Sequence, residues 1–514
     1  MQNYKKSAVA ATALILLLLN GCAPSSTALK PGAVGEMIGG DLTKLYHQED
    51  KQDGLKFEDA IARALRYNLD ARVAAYEQLA AHGAVTLERL NALPAMEAKW
   101  NYITRSNKGA GSSLSVITNT QSLEPSISTP QSRTTAQLEM NWNLLDAALA
   151  VARSRSASDR ALVAEERRRK VFQNVVQDVY SAYWRAAAAQ TIRGEIAASV
   201  AETDVQIGKI DEAMKRDIIV LGDARRIKGA LLEKKQQMKD LNNQLALADT
   251  ALKALIGLPP RAKITLDPGD VEWMAKERLP KVNRNISDLE TMALLSRPEV
   301  HEEILNKGIA LRDVKMEMLA TLPGASIFLA FNHDNNDFLV DKNWLSLTGT
   351  IAQSITKILT APARIGHAKT NVGLADARRQ ALLAAVITQV HVAKMRFDQL
   401  ADSYDTVVDI ESNKKAELVR ARSFRDTGMM SNTELAQTEV DATLARANRA
   451  IAYAAAQEAY GQLLNTLGVD LWSSKTGGMT VPQLAGEVKR KLNEFEDEVV
   501  GEEAPAGKGD TVKS

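Results

Sequence analysis

Residues 134–145 read TTAQLEMNWNLL, and every second residue from Ala136 onward is apolar. The apolar positions are Ala136, Leu138, Met140, Trp142 and Leu144. A two-residue period is typical of a β-strand that has one apolar and one polar face. The stretch therefore predicts a strand of about ten residues, which is also the length of a strand that crosses a bilayer.

Three other stretches show the same period. Their apolar positions are Met96, Ala98, Trp100 and Tyr102 in PAMEAKWNYITR (94–105), then Ile327, Leu329 and Phe331, then Leu345, Leu347 and Ile351. The segments between the paired strands, 107–132 and 332–337, are rich in turn-forming residues. Two hairpins on a soluble core would show this alternation too, but the strand length and the aromatic residues near the strand ends favour a membrane.

The two halves of the chain are copies of one another. Leu93-Pro94 and Leu322-Pro323 precede the first strand of each half, and Gly257 aligns with Gly468 further along. Pro94 and Pro323 are farther apart in sequence than Gly257 and Gly468 are. The first half therefore contains an insertion between these two landmarks. The insertion falls largely in the Gly/Ser-rich loop of that half, as expected for a surface insertion.

Most of the remaining sequence predicts long helices. Leu231, Met238, Leu245 and Leu252 recur every seven residues, which is the pattern of a coiled-coil seam. Periodic, alanine-rich segments cover residues 57–92, 147–214, 287–321, 363–427 and 432–467. The longest would extend about 100 Å at 1.5 Å per residue, which predicts an extended bundle or tube.

The N-terminus predicts export. Lys5 and Lys6 precede an apolar run that is too short to cross a bilayer as a helix, followed by Asn20, Gly21 and Cys22. Leu19-Asn20-Gly21-Cys22 resembles the bacterial lipobox, which implies a covalent lipid on Cys22; an ordinary cleaved signal with an incidental cysteine is the alternative. In that class of signal, Ala23 implies sorting to the outer membrane, and Cys22 is the only cysteine in the chain.

These features resemble the TolC-like outer-membrane efflux family. The duplicated helix–strand–strand–helix–helix plan, the Leu-Pro before each first strand and the stretch GMMSNTEL (428–435) carry the resemblance, which covers residues from about 55 to 470. It implies a mainly α protein with membrane β-hairpins, in which a trimeric 12-stranded β-barrel is continued by a long α-helical periplasmic barrel. It also implies a periplasmic adaptor and an inner-membrane pump as partners.

Four strands per chain also require several chains to close a membrane barrel. Four strands cannot close a barrel, and an open sheet edge in lipid leaves backbone groups unpaired at several kcal/mol each. Two copies would give eight strands around a filled interior, whereas three would give twelve around a water-lined pore. The polar faces of the strands favour the pore and therefore the homotrimer.

Two acidic residues are candidates for a periplasmic gate. In the family, acids just after the Gly-x-x-Ser turn face the pore, and Glu434 occupies that position; Asp223 is its equivalent when Gly257 is aligned with Gly468. Rings of carboxylates attract cations and repel one another when crowded. Alternatively, both are first-turn acids that stabilise a helix N-terminus.

The sequence does not predict an enzyme, a cofactor or a metal site. His301 lies in HEEIL without the second histidine of a zinc motif, and His333 with Asp334 and Asp337 favours a solvated turn over a metal site. The basic run 167–170 follows two glutamates and predicts a solvated helix face. The full chain has net charge +1, or −1 without Lys5 and Lys6 (62 basic and 63 acidic residues), which argues against nucleic acid as a partner.

The predicted organisation has six segments. They are a lipoprotein signal peptide (1–21), a lipid-anchored tether (22–54), the first repeat (55–265), a linker (266–286), the second repeat (287–475) and a flexible tail (476–514). The predicted function is an exit duct in the outer membrane, with a large periplasmic portion, that serves a tripartite efflux pump or a type I secretion system. A lipid-anchored coiled-coil scaffold or adhesin without a pore is the alternative.

Overall fold

The structure is a computed structural model that describes residues 31–45, 51–267, 269–270, 279–472 and 478–500. Cys22 and the predicted signal peptide lie outside the described residues. The helices are α1 Pro31–Leu45, α2 Phe57–Tyr67, α3 Leu69–Leu90, α4 Leu144–Lys215, α5 Leu221–Leu255, α6 Ile286–Ser296, α7 Pro298–Leu319, α8 Ile355–Asp426, α9 Asn432–Leu467 and α10 Val481–Val500. The strands are β1 Lys51–Leu55, β2 Ala95–Thr104, β3 Ala110–Gly111, β4 Ser126–Ile127, β5 Ser132–Asn143, β6 Lys263–Leu266, β7 Gly324–Asp334 and β8 Asn343–Ala352.

The predicted duplication is confirmed. Helices α2 and α6 both have 11 residues, α3 and α7 both have 22, and α4 and α8 both have 72. The separation in sequence is the same for α2 and α6 as for α3 and α7, but it is shorter for α4 and α8. The separation therefore changes between the first and second strand of each half, where residues 105–131 form a much longer loop than residues 335–342.

The four predicted strands form one antiparallel sheet in the order β2-β5-β7-β8. Each second strand leads directly into a long helix. The Asn143 side chain accepts hydrogen bonds from the backbone N–H groups of Leu145 and Asp146, and the Ser354 hydroxyl accepts one from Lys357 N. These N-caps replace a connecting loop, so the helices continue the sheet.

The long helices α4 and α8 extend about 110 Å each at 1.5 Å per residue. The predicted seam on α5 is buried, with Leu231, Met238 and Leu252 fully inaccessible to solvent, and α5 packs along α4. Helix α9 packs against both α4 and α8. The helical part is therefore elongated.

The single helices predicted for 57–92 and 287–321 are wrong, because each is broken in the structure. Asn68 is extended (ψ 134°) and its side chain caps α3, whereas Arg297 is extended (ψ 127°) in front of Pro298. Proline disfavours the helical conformation in the preceding residue, and an asparagine cap favours a new helix start. Asn68 and Arg297 each precede the second helix of their half, so the two breaks belong to the repeat.

The same glycine contact occurs once in each repeat. Gly257 and Gly468 end α5 and α9 with φ of +75° and +76°. A Cβ on Gly257 would lie 2.8 Å from Tyr67 Cβ, and one on Gly468 would lie 2.8 Å from the Arg297 backbone N. Each glycine therefore lets the end of a long helix approach the break between two short ones.

Aromatic side chains fill the core around the middle of α4. Phe57 packs on Tyr180 with ring centroids 4.6 Å apart, and Trp184 packs on Tyr453 at 5.4 Å. The terminal elements complete this region. Strand β1 pairs in parallel with β6, and α10 packs on α2 through a buried face.

These terminal elements correct two of the predicted segments. The flexible tail 476–514 is wrong for Val481–Val500, because Val488 is fully buried and Leu492 and Phe495 belong to the main core. The tether 22–54 contains α1 and most of β1. In α10, a largely charged surface concealed the narrow apolar face that packs.

The basic run 167–170 is not the solvated face that its charges predict. Arg169 binds Asp470 through its NH2 atom at 2.7 Å, and Lys170 Nζ lies 2.8 Å from Glu299 Oε1. Arg297 also binds Glu299, at 3.0 Å. Burial opposes ionisation of Glu299, but the hydrogen bonds from Arg297 and Lys170 prevail and lower the pKa of Glu299 from 4.5 to about 2. The Lys170–Glu299 ion pair joins α4 of the first repeat to α7 of the second, and Arg169–Asp470 joins α4 to the segment that follows α9.

We expect Gly468→Ala to destabilise the protein more than Gly428→Ala. Both glycines have φ near +76°, but a Cβ on Gly428 meets nothing within 4 Å. Gly428→Ala is therefore the control and should lose only about 1–2 kcal/mol of stability, from backbone strain. In Gly468→Ala, the clash with Arg297 should remove about 1–3 kcal/mol more. The measurement is the apparent Tm by circular dichroism in detergent. Equal shifts in the two variants would contradict the packing of Gly468.

We expect Glu299→Gln to lower stability at pH 7 but not near pH 2. Because the folded-state pKa of Glu299 is lowered from 4.5 to about 2, its stabilisation is complete above pH 4.5 and disappears as the pH falls toward 2. Linkage limits the effect to about 3 kcal/mol. The measurement is apparent Tm against pH for both proteins. A difference that persists unchanged at pH 2 would contradict this role.

Candidate functional site

One face of the four-stranded sheet is a continuous apolar surface. Residues that pair across the strands share a face, as do Met96 and Met140 or Leu329 and Leu347. Trp142 lies on the same face, opposite Ile327, at the end nearest the helices. A continuous, exposed apolar surface marks a binding or membrane surface. Eight large side chains of this face are at least half exposed: Met96, Trp100, Tyr102, Leu138, Phe331, Leu345, Leu347 and Ile351.

The opposite face is largely polar. Lys99 lies between Glu97, at 3.3 Å, and Glu139, to which it donates a hydrogen bond. Arg133 NH1 binds Asp334 Oδ2 at 3.3 Å near the loops. The sheet therefore separates an apolar from a polar environment, as the wall of a water-filled channel does.

The sheet has two open edges. Within the described residues, no strand pairs with the outer side of β2 or of β8. Each edge strand has ten residues, and an edge strand presents a row of backbone N–H and C=O groups that can pair with another strand. Both edges of the sheet can therefore pair with further strands.

A second exposed apolar surface lies on α3. The other side of α3 packs on α4. The spacing of the exposed apolar residues places them on one side of the helix. We name this surface the α3 stripe: Leu69, Val73, Tyr76, Leu79, Leu87 and Leu90, which are 49–65% exposed.

The structure places the two gate candidates at equivalent positions of the repeat, but in different local settings. Glu434 forms a capping box at the start of α9: its Oε2 accepts a hydrogen bond from Ser431 N at 3.0 Å, and Ser431 Oγ accepts one from Glu434 N at 3.2 Å. The hydrogen bond from the Ser431 backbone lowers the pKa of Glu434. Asp223 is exposed and lies 3.7 Å from Arg226, and the preceding N-cap residue, Val220, has no side-chain capping bond.

The turns that precede both candidates are alike. Asp217 and Gly428 both adopt positive φ, 53° and 76°. Ile218 N donates to Ala213 O, and Met429 N donates to Phe424 O at 2.8 Å, which closes both helices in the same way. Asp217 therefore holds the left-handed position that glycine holds in the second repeat.

The structure separates the residues of the possible metal site near His333. His333 Nδ1 contacts Asn343 Oδ1 at 2.8 Å, whereas Asp337 binds Lys342 at 2.7 Å. Among the described residues, no group of three His, Cys, Asp or Glu side chains could hold a metal ion. Within the same part of the chain, no helix has both the length and the hydropathy needed to cross a bilayer.

Comparison with known proteins rests on structure alone, since no protein-family model and no curated protein matches the sequence. The chain is similar to the open-state MtrE outer membrane channel of Neisseria gonorrhoeae, with a TM-score of 0.62 and 18% identity over 80% of this chain and 88% of that chain. It is also similar to the CmeC outer membrane channel of Campylobacter jejuni, with a TM-score of 0.61 and 14% identity over 85% and 89% of the two chains.

A third similar structure is the outer membrane protein VceC of Vibrio cholerae, with a TM-score of 0.57 and 14% identity over 80% of this chain and 96% of that chain. The three matches span most of both chains. The resemblance carried by the repeat is therefore confirmed, and the chain has the fold of the TolC-like outer-membrane channels.

Proposed function

We propose that this protein is an outer-membrane exit duct, built from three copies of the chain and anchored by a lipid on Cys22. The observation that carries the proposal is the four-stranded sheet with one apolar face, one polar face and two open edges. Three such sheets close into a twelve-stranded barrel with the apolar face toward lipid and the polar face toward water. The helices α4 and α8 then continue the barrel into the periplasm.

The internal repeat supplies a template for the contact between subunits. Within one chain, β5 of the first repeat pairs with β7 of the second, and Glu139 lies opposite Ala330. Strand β8 is the equivalent of β5, and β2 is the equivalent of β7. In this alignment Thr350 replaces Glu139 and Asn101 replaces Ala330, so Thr350 would lie opposite Asn101 of the partner subunit. Pairing β8 with β2 of the partner subunit in this register also keeps the apolar faces of adjacent sheets continuous.

The α3 stripe fits the same template. Its equivalent on α7 faces α4, because Arg167 binds Glu302 at 2.6 Å and a Cβ on Gly308 would lie 3.5 Å from Asp159 Oδ2. When α3 is aligned with α7, Val73 takes the place of Glu302. The α3 stripe would therefore pack on α8 of the partner subunit. Each Å² of apolar surface buried there would stabilise the trimer by about 25 cal/mol.

Transport through a passive duct needs energy from elsewhere. The resemblance supports a periplasmic adaptor and an inner-membrane pump as partners, in a tripartite efflux pump or a type I secretion system. Neither a cofactor nor an enzymatic activity forms part of this proposal. The competing function, a lipid-anchored scaffold or adhesin, leaves the polar face of the sheet and the two open edges without a role.

We expect Asn101→Cys/Thr350→Cys to form covalent trimers on oxidation, because the template places these residues opposite each other. Asn101→Cys/Ser346→Cys is the matched control, since Ser346 lies four residues away, about 13 Å along the strand. Denaturing gels detect the crosslink. The unsubstituted protein shows whether Cys22 forms disulfides by itself. Crosslinking of the control pair alone, or of neither pair, would contradict the register.

The same crosslinked trimers test conduction. In planar bilayers we expect step-like single-channel currents that persist after crosslinking, because the disulfide holds a barrel that is already closed. A covalent trimer that inserts into bilayers but carries no current would reject the duct and favour the scaffold.

We expect Glu434→Gln with Asp223→Asn to reduce cation selectivity and block by divalent cations, because two rings of three carboxylates would be lost. Glutamine can retain the capping box, so the turn at Ser431 should remain intact. Glu124→Gln, in the 105–131 loop, removes a charge far from this turn and serves as the control. Selectivity and block that stay unchanged in the double variant would reject the gate role.

A further inference from the structure

A cavity of about 300 Å³ lies in the middle region, where α2, α4, α9 and α10 meet. All of its lining residues belong to one chain. Its size is at the lower end of the range for small-molecule sites. We name it the tyrosine pocket, and its defining residues are Phe57, Tyr180, Trp184, Tyr460, Lys489 and Glu496.

Two tyrosine hydroxyl groups in the tyrosine pocket lack partners. Tyr180 and Tyr460 are each only 2% exposed, and their ring centroids lie 6.1 Å apart. Within the described part of the chain, neither hydroxyl makes a hydrogen bond, whereas the neighbouring Tyr183 hydroxyl donates to Asp270 Oδ2 at 2.5 Å. Neither hydroxyl is among the fully enclosed polar atoms without a partner, so both can be reached from the pocket and can accept a hydrogen bond from a bound group.

One carboxylate in the pocket is also without a counter-charge. Lys489 binds Glu58 at 3.4 Å, and Asp270 accepts a hydrogen bond from Phe57 N at 2.9 Å. Glu496, half-buried on α10, forms no ion pair among the described residues. Burial raises the pKa of Glu496, and its charge acts on both pocket tyrosines. The carboxylate and the two hydroxyls therefore belong to one electrostatic site.

The aromatic rings define the remaining surface. Phe57 lies 4.6 Å from Tyr180 and 5.4 Å from Trp184, measured between ring centroids. Aromatic faces attract cations through their quadrupole, and a buried carboxylate is stabilised by a cation that donates hydrogen bonds. Of the ligand classes that fit a pocket of this size, a cation is the one that gives Glu496 a counter-charge.

We propose that the tyrosine pocket binds a small organic cation that has an ammonium group and an aromatic or aliphatic body. The ammonium group donates hydrogen bonds to the Glu496 carboxylate and to the hydroxyl oxygens of Tyr180 and Tyr460. The body packs against Phe57 and Trp184. Binding at this site is a function separate from passive conduction, because the pocket lies among α2, α4, α9 and α10 and not on the polar face of the sheet.

The probe is 2-phenylethylammonium, and 2-phenylethanol is its uncharged counterpart. Isothermal titration calorimetry of the purified protein in detergent at pH 7 measures binding, and quenching of tryptophan fluorescence reports contact near Trp184. We expect saturable binding of the amine and at least about tenfold weaker binding of the alcohol, because only the amine pairs with Glu496.

Variants locate the site. We expect Glu496→Gln to weaken amine binding at least about tenfold and Tyr460→Phe to weaken it about threefold or more. Glu494→Gln is the matched control on the same helix, because Glu494 pairs with Arg490 and Lys491 instead; it should leave the affinity unchanged.

Three results would overturn the proposal. They are no saturable amine binding up to about 10 mM, equal affinity for the amine and the alcohol, or equal affinity of the wild-type protein and Glu496→Gln. Unchanged single-channel currents in Glu496→Gln are expected, so failure of this site and failure of the duct remain distinguishable.

Discussion

The pairing of backbone groups at the edges of the sheet is the constraint on which the rest of the molecule depends. Strands β2 and β8 each present an edge that no described strand covers. In water such an edge is tolerable, but in lipid each unpaired group costs several kcal/mol. The apolar face formed by residues such as Trp100 and Leu347 suits lipid, and in lipid the edges would need sister strands. The proposed barrel, the tube below it and the proposed transport all depend on that pairing.

Because the chain is duplicated, each proposed interface between subunits repeats a contact that already exists within the chain. The β5–β7 ladder and the α4–α7 contact have the same form as the contacts proposed between β8 and β2 and between α8 and α3. The differences between the two repeats then become informative. Where α7 carries Glu302, which binds Arg167, α3 carries Val73, so the α7 side of the internal contact is charged and the α3 side of the proposed external one is apolar.

The sequence predicted the parts of the fold that depend on local periodicity. Alternation around Leu138 predicted a strand, and the seven-residue spacing of Leu231 predicted a buried seam. It did not predict the breaks at Asn68 and Arg297, because apolar periodicity continues across both. It also missed α10 and the tyrosine pocket, since these depend on contacts between residues that are distant in sequence. For the candidate gate, it located Glu434 but not the capping hydrogen bonds of its carboxylate, which need the geometry of the turn.

The mass of the assembly tests the proposed closure of the barrel by three chains most directly. Native mass spectrometry of the mature protein, released from detergent micelles, should show three copies of the chain, each carrying the lipid on Cys22. A stable monomer that remains soluble without detergent would contradict the account, because its open edges and exposed apolar face would then need neither sister strands nor lipid.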